Sequence, residues 1–217
     1  MSDYYILDTE TASLSGGVCE IAWLRIDEKL DIKDQFVSRV NPQRPIEPGA
    51  FAIHGISDAD VADCPTMEDI SAHLPEPITI IGHNVNFDIR MISPYIQAKA
   101  SLCTLSLSRQ YVKGTTNHKL PTLQSELGLP DRESHSALGD VLTVRDVLLH
   151  ILPLSGRTLQ GLITVNDKPK ILHRMPFGKH RGLLMSAVPA GYRSWLLDQS
   201  DLDKDLRYTL EKMKGIL

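Results

Sequence analysis

The sequence predicts an α/β fold with a central sheet, followed by a small α+β domain. The first 40 residues contain three strand-like runs separated by short polar breaks, which is typical of an antiparallel meander. Ile78–Ile81 is short and wholly apolar, as in a strand that is buried on both faces. Most later segments up to Leu152 carry apolar residues at helical spacing. Ser155-Gly156 then marks a boundary, which gives domains at residues 1–154 and 155–217.

The composition excludes several classes of protein. The chain has 217 residues, 42% hydrophobic and 23% charged, as in ordinary globular proteins. Its net charge of −4 does not suggest nucleic-acid binding, which would need a local basic patch or a metal. Three widely spaced cysteines indicate reduced thiols. With no basic leader and no membrane-spanning apolar run, we expect a cytoplasmic protein without a membrane partner.

The first strand, Tyr4–Thr11, carries two carboxylates after an apolar run. Asp8 and Glu10 are two residues apart, so they share one face of the strand, about 7 Å apart along it. Burying two ionised carboxylates together is costly, and a divalent cation with oxygen ligands removes that cost. The alternative is a strand that has already reached solvent.

The next elements follow from apolar runs and turn residues. Ser13–Gly17 predicts a turn, and the segment with three prolines at residues 41–49 predicts a loop. The expected strands are residues 19–26 and 34–40, and the expected helices are a short one from Asp58 and one from Thr66 to Leu74. Thr66 and Asp69 have the spacing of a capping box.

A third carboxylate, Asp88, follows the apolar strand at Ile78–Ile81. It precedes Ile92 by one helical turn, which predicts that Asp88 faces the core and needs a partner. A contact with the positive end of the helix dipole is the simpler explanation.

A fourth carboxylate and a histidine lie at the start of a long helix that reaches about Leu152. Asp140 lies at the edge of an apolar stripe. Ser134 or Ser136 can cap this helix, which leaves His135 outside the first turn. Alone, such a histidine would be an ordinary surface residue. Other predicted elements between these two sites are a short strand at residues 102–103 and helices at residues 104–111 and 120–127.

These residues form three blocks that resemble the DEDDh family of 3′→5′ exonucleases. The blocks are Asp8-Thr9-Glu10-Thr11, then Asn84-x-x-Phe87-Asp88, then His135-x-x-x-x-Asp140. The resemblance covers about residues 3–153 and implies a ribonuclease H-like fold, a mixed sheet flanked by helices.

The resemblance also implies the chemistry of the site. Two Mg²⁺ or Mn²⁺ ions about 4 Å apart would stabilise charge on the oxygens of a phosphodiester under attack. Asp8 would bridge both ions, Glu10 and Asp140 would complete one, and Asp88 would act on the other, largely through water. His135 would be the general base.

Further residues of the first domain are implied to contact the terminal nucleotide. Thr11 and Leu14 follow the first block, and His54, in an expected Ile53-His54-Gly55 loop, would face the sugar. Simple core or turn packing is the alternative for Leu14.

The C-terminal domain contains a local basic patch. Residues 168–193 hold six Lys or Arg and no Asp or Glu. A predicted hairpin tip at residues 176–182 presents Lys179, His180 and Arg181, which suit phosphate binding, although such a tip can also be only a solvated loop. Helices are expected at residues 190–197 and 202–213. The tail is similar to the small domain of the exodeoxyribonuclease X branch of the family, which favours DNA.

The predicted function is therefore metal-dependent 3′→5′ hydrolysis of DNA that releases 5′-mononucleotides. Single- and double-stranded 3′ ends remain open as substrates, and so does RNA. The alternatives are a polymerase proofreading subunit, an RNA-trimming enzyme similar to ribonuclease T, and a catalytically silent nucleic-acid-binding module on the same fold.

Overall fold

A computed structural model describes residues 3–73, 78–132, 134–167, 169, 171–199 and 202–214. Two compact units divide between Asp167 and Lys168. This division is later than the predicted boundary after residue 154, because helix α8 (Leu159–Asp167) buries Leu159, Leu162 and Ile163 in the core of the first unit. Among the described residues, no helix is long and apolar enough to cross a membrane.

The first unit is built on a mixed five-stranded sheet. Its strands are β1 (Tyr4–Ser13), β2 (Gly16–Ile26), β3 (Ile32–Arg39), β4 (Ile78–Gly82) and β5 (Ala98–Cys103). Their order in the sheet is β3-β2-β1-β4-β5. The first three form the predicted antiparallel meander, whereas β4 pairs parallel to both β1 and β5.

Helices cover both faces of the sheet, and their bounds match most of the sequence predictions. In chain order they are α1 (Pro48–His54), α2 (Asp58–Val61), α3 (Met67–Ser71), α4 (Asn86–Ile92), α5 (Thr104–Tyr111), α6 (Leu120–Glu126), α7 (Ala137–Ser155) and α8. The Thr66–Asp69 capping box is present at α3. This helix ends at Ser71, earlier than the predicted end at Leu74, a residue that itself lies outside the described part of the chain. The fully buried stripe on α7 is also as predicted.

The alternation of side chains along β1 gives the sheet two separate cores. Tyr4 and Ile6 face a core that α5, α6, α7 and α8 complete, whereas Tyr5 and Leu7 face a core that α3 and α4 complete. Asp8 and Glu10 have the parity of Tyr4 and Ile6, which directs them toward α7.

The expected loop at residues 41–49 ends earlier than predicted. Helix α1 begins at Pro48, because proline is well tolerated in the first turn, where its missing N–H has no helical partner. His54 is therefore the last residue of a helix and not part of a loop. Gly55 ends this helix in the left-handed region, with φ of 69°.

The second unit has a small core of its own. It contains α9 (Ala190–Leu197) and α10 (Lys204–Lys214), close to the predicted pair. The expected hairpin is present as backbone pairing between Met175 and Leu183, with a short 3₁₀ turn at Gly178–His180. Lys168 and Lys170, two members of the basic patch, lie outside the described residues.

Candidate active site

The carboxylate of Asp88 contacts β1 just beyond the last residue of β1 that pairs with β4. Strand β4 pairs with β1 only from Tyr4 to Ile6, so the edge of β1 beyond that point is free of a strand partner on this side. The Oδ1 atom of Asp88 accepts hydrogen bonds there from the backbone N of Thr9 at 3.1 Å and from its Oγ1 at 2.9 Å. Asp88 is only 3% exposed. The expected core-facing orientation is present, and Thr9 is the partner.

Asp140 and His135 approach Glu10 from the start of α7. Potential ligand atoms of Glu10, His135 and Asp140 all lie within 4.8 Å of one another. Asp140 is in the first turn of the helix, while His135 precedes it with a φ of 61°. The backbone of His135 is thus in the left-handed region, which Asn, Asp and His adopt more readily than most residues. Its side chain is exposed.

Glu20 is a buried carboxylate that the sequence analysis did not single out. It lies opposite Glu10 on β2 and is 7% exposed. Its Oε2 accepts a hydrogen bond from the backbone N of Ala137 at 2.8 Å, and its Oε1 is 2.9 Å from Nε of Arg39. The available signal was a single acidic residue in a mainly apolar strand whose other charged residue is Arg25.

The cap of α7 therefore differs from the prediction. Ser136 occupies the N-cap position, but its side chain makes no capping hydrogen bond. Glu20 from a distant strand satisfies one of the free N–H groups at this helix start instead.

Burial raises the pKa of the four predicted metal ligands, Asp8, Glu10, Asp88 and Asp140. The pKa of Glu10 rises to about 8 through desolvation and the charges of Asp140 and Glu20. Desolvation also raises the pKa of Asp88 to about 7 against the opposing hydrogen bonds from Thr9, and that of Asp140 to about 6. The pKa of Asp8 lies well above its usual value, because of desolvation and then the neighbouring carboxylates.

These groups fit a divalent cation. Four converging oxygen ligands with raised pKa values repel one another when ionised, and a cation offsets that repulsion. The residues that would hold it are Asp8, Glu10, Asp88 and Asp140.

A hollow of about 370 Å³ beside Glu10 brings together the three predicted nucleotide-contacting residues. Leu14, in the β1–β2 turn, is 83% exposed and therefore is not a core residue. Thr11 is buried, and its carbonyl oxygen lies 3.3 Å from Nε2 of His54. The Nδ1 of His54 accepts from the backbone N of Ile56, so Nε2 carries the proton and donates to Thr11. Both ring nitrogens are thus already engaged, and His54 forms part of the wall.

In the second unit, the three predicted phosphate-binding residues lie at the turn of the hairpin. Lys179 and Arg181 are exposed. His180 is half-buried, and its ring packs edge-on against Tyr192 with centroids 4.7 Å apart. Gly178 precedes them with a φ of 69°.

The chain is similar to known exonucleases. Residues 5–148 match the exonuclease family of the RNase T type. The chain is 34% identical to Exodeoxyribonuclease 10 of Escherichia coli strain K12, over 95% of this chain and 96% of that protein.

Two solved structures are similar in fold. One is Exonuclease X in complex with 5′ overhanging duplex DNA, with a TM-score of 0.66 and 32% identity over 75% of this chain and 98% of that one. The other is the nuclease domain of 3′hExo, a DEDDh family member bound to rAMP, with a TM-score of 0.54 and 16% identity over 72% of this chain and 96% of that one. The predicted ribonuclease H-like fold is confirmed.

Proposed function

The chain belongs to the RNase T exonuclease family, whose DEDDh members depend on divalent metal, and from this premise we propose that it releases 5′-mononucleotides from the 3′ ends of DNA. One observation carries the proposal. Four carboxylates from three separate segments converge with His135 at one place, where they repel one another when ionised. Such an arrangement lowers stability unless it serves a bound metal.

Asp8, Glu10, Asp88 and Asp140 would hold two Mg²⁺ or Mn²⁺ ions. When bound, such ions lower the pKa of the attacking water and stabilise charge on the leaving 3′ oxygen. His135 takes the proton from that water, because its exposed position outside α7 leaves its ring free to meet the substrate. Thr9 fixes the orientation of Asp88, and Glu20 fixes the start of the helix that carries Asp140.

Substrate binding is assigned to two surfaces. The hollow beside Glu10 would take the terminal nucleotide, with Leu14 and Thr11 against the base and sugar and His54 as a rigid wall. Lys179, His180 and Arg181 of the second unit would contact phosphates. A cytoplasmic location is supported by three cysteines that are all free thiols.

DNA is favoured over RNA by the nearly full-length similarity to Exodeoxyribonuclease 10. The identity to Exodeoxyribonuclease 10 is 34% over 95% of this chain, against 28% over 94% of this chain for the DNA polymerase III subunit epsilon of Buchnera aphidicola. A self-contained exonuclease therefore fits better than a proofreading subunit. The four carboxylates together with His135, the proposed general base, would serve no purpose in a catalytically silent binding module, which argues against that alternative.

The deciding experiment is digestion of 3′-labelled and 5′-labelled strands, as single-stranded and duplex DNA and as matched RNA, with Mg²⁺. The 3′ label should appear at once as a mononucleotide, while the 5′-labelled strand shortens step by step. Early release of the 5′ label would refute the polarity, and faster digestion of RNA would refute the substrate. No hydrolysis of any strand would favour the silent module.

A further inference from the structure

The second unit displays an aromatic pair, of which Tyr192 packs against its small core while Trp195 lies outside it. Tyr192 and Trp195 lie three residues apart on α9 and so share one face of this helix. Their rings stack with centroids 5.3 Å apart and an interplanar angle of 28°. Trp195 is nevertheless 51% exposed, while Leu196 beside it is buried in the core. Tyrosine and tryptophan are enriched at binding interfaces, and a stacked pair with one exposed indole is suited to such a surface.

Three neighbours hold the Tyr192 ring in place. The Nζ of Lys179 lies 5.0 Å from its centroid, and His180 meets it edge-on. Gly178 allows the close approach of the hydroxyl, since a Cβ at that position would lie 2.9 Å from the Tyr192 oxygen. Tyr192 therefore supports the indole of Trp195, and Trp195 is the ring with a free surface.

The space beside this indole is open and of suitable size. A depression of about 620 Å³ is lined by Lys179, His180, Pro189, Gly191, Tyr192 and Trp195. A planar group the size of a nucleobase fits there. Nothing lies within 4 Å of the position that a Cβ of Gly191 would occupy, so the depression is open beside this residue.

The charge of this unit identifies the kind of partner. Residues 168–217 contain ten Lys and Arg against five Asp and Glu, a net charge of +5 in a chain whose total is −4. The stretch from Lys168 to Arg193, which includes the turn beside Tyr192, has no acidic residue. An aromatic ring beside a cation suits a polyanion that also presents flat apolar faces.

We propose that Trp195 stacks on a base of single-stranded nucleic acid while Lys179 contacts an adjoining phosphate. This inference rests on the proposed function, in which the substrate is a nucleic acid. Single strands are specified because bases inside a duplex are already stacked on both faces, whereas an unpaired base can pack on an aromatic ring. Stacking of this kind is tolerant of sequence, as an exonuclease requires.

The test is binding of the full chain to labelled oligonucleotides in EDTA, which prevents hydrolysis. The probes are single-stranded oligothymidylate, an abasic strand of equal length and charge, and a blunt duplex. The variants are Trp195→Ala and Trp195→Phe, with Ile171→Ala as a control that removes another exposed apolar side chain, 49% exposed, from the same unit.

Trp195→Ala should weaken binding of oligothymidylate by about 10- to 100-fold, the usual effect of losing one stacked base. Trp195→Phe should recover most of that loss, and Ile171→Ala should bind as the wild type does. The abasic strand should bind wild type and Trp195→Ala equally. Because Trp23 is buried against Phe36 in the first unit, quenching of tryptophan emission by oligothymidylate would report Trp195.

Three results would overturn the stacking proposal: unchanged affinity in Trp195→Ala, equal wild-type affinity for abasic and normal strands, or an equal loss on duplex. A parallel assay of nucleotide release with Mg²⁺ separates this failure from failure of the proposed function. Hydrolysis by the wild type without an effect of Trp195 on binding would refute only the stacking. Trp195-dependent binding without any hydrolysis would refute only the nuclease function.

Discussion

The carboxylate of Glu20 joins strand β2 to the first residue of α7 through the 2.8 Å hydrogen bond from the backbone N of Ala137. Glu20 is also the cross-strand neighbour of Glu10. One side chain therefore sets the distance between the strand that carries Glu10 and the helix that carries Asp140. Arg39 balances its charge.

Glu20→Ala should lower both stability and turnover. The N–H of Ala137 would lose its buried partner and Arg39 its counter-ion, which should reduce the free energy of unfolding by about 1–3 kcal/mol. The start of α7 would move relative to Glu10, so kcat should fall while KM changes little. Glu126→Ala is the matched control, because Glu126 accepts a backbone hydrogen bond from Thr116 on the surface. An unaltered kcat in Glu20→Ala would exclude a positioning role.

Asp8→Asn should abolish nuclease activity and Mn²⁺ binding while it raises the stability of the metal-free protein near pH 8. The reason is that burial and four neighbouring carboxylates disfavour the ionised form of Asp8. Calorimetric titration and thermal unfolding in EDTA measure the two effects. Asp69→Asn, which weakens a helix cap, should instead lower stability. Turnover above about one tenth of the wild-type value would contradict a metal role for Asp8.

The metal-free protein should lose stability as the pH rises from about 5 to about 8.5. Glu10, Asp88 and Asp140 have pKa values of about 8, 7 and 6, all above their values in an unfolded chain. In this range the folded state binds more protons than the unfolded state, so raising the pH favours unfolding.

Melting temperatures measured in EDTA across this pH range test the expectation. The melting temperature should fall less steeply with pH in Glu10→Gln, because this variant lacks the group with the highest of the three pKa values. Added Mg²⁺ should stabilise the wild type more at high pH, because binding requires ionised carboxylates. A melting temperature that rises with pH in EDTA would contradict the raised pKa values.

His135→Asn should reduce the rate by roughly 10²–10⁴-fold, the usual cost of losing a general base. Asn removes the imidazole and still tolerates the left-handed backbone at this position. Mn²⁺ affinity should hardly change, in contrast to Asp140→Asn. Calorimetric titration with Mn²⁺ is the essential measurement, because the potential ligand atoms of Glu10, His135 and Asp140 lie close together. An equal loss of Mn²⁺ affinity in His135→Asn and Asp140→Asn would show that His135 is a metal ligand.

Replacing Lys179 and Arg181 together with Ala should raise KM and leave kcat within a few-fold. If both contact phosphates, the slope of log affinity against log salt should flatten by about 1.8 on duplex DNA or about 1.4 on a single strand. Lys212→Ala with Lys214→Ala removes the same charge from the end of α10 and serves as the control. An unchanged slope in the Lys179 and Arg181 variant would show a merely solvated turn.

The sheet and the long helix were predictable because their signals are local. The strand that carries Asp8 and the buried stripe of α7 each follow from the spacing of apolar residues within one element. The orientation of Asp88 was predictable for the same reason.

What the sequence did not predict depends on proximity in space. Thr9 and Glu20 act through groups on other elements, 79 and 117 residues away, and no local pattern marks such pairs. The boundary between the units was placed too early because α8 follows a Ser155-Gly156 turn yet packs back onto the first core. The three prolines of residues 41–49 predict a loop, whereas Pro48 begins α1, a position to which proline is equally suited.

The two hydrogen bonds from Thr9 determine which oxygen of Asp88 is available. Both donors converge on Oδ1, so only Oδ2 remains for a cation or for water bound to one, and chelation through both oxygens is excluded while Thr9 stays in place. Asparagine at this position would therefore be no neutral isostere. Its carbonyl would accept from Thr9 and its NH₂ group would point at the metal, so that a donor with partial positive charge would replace the ligand.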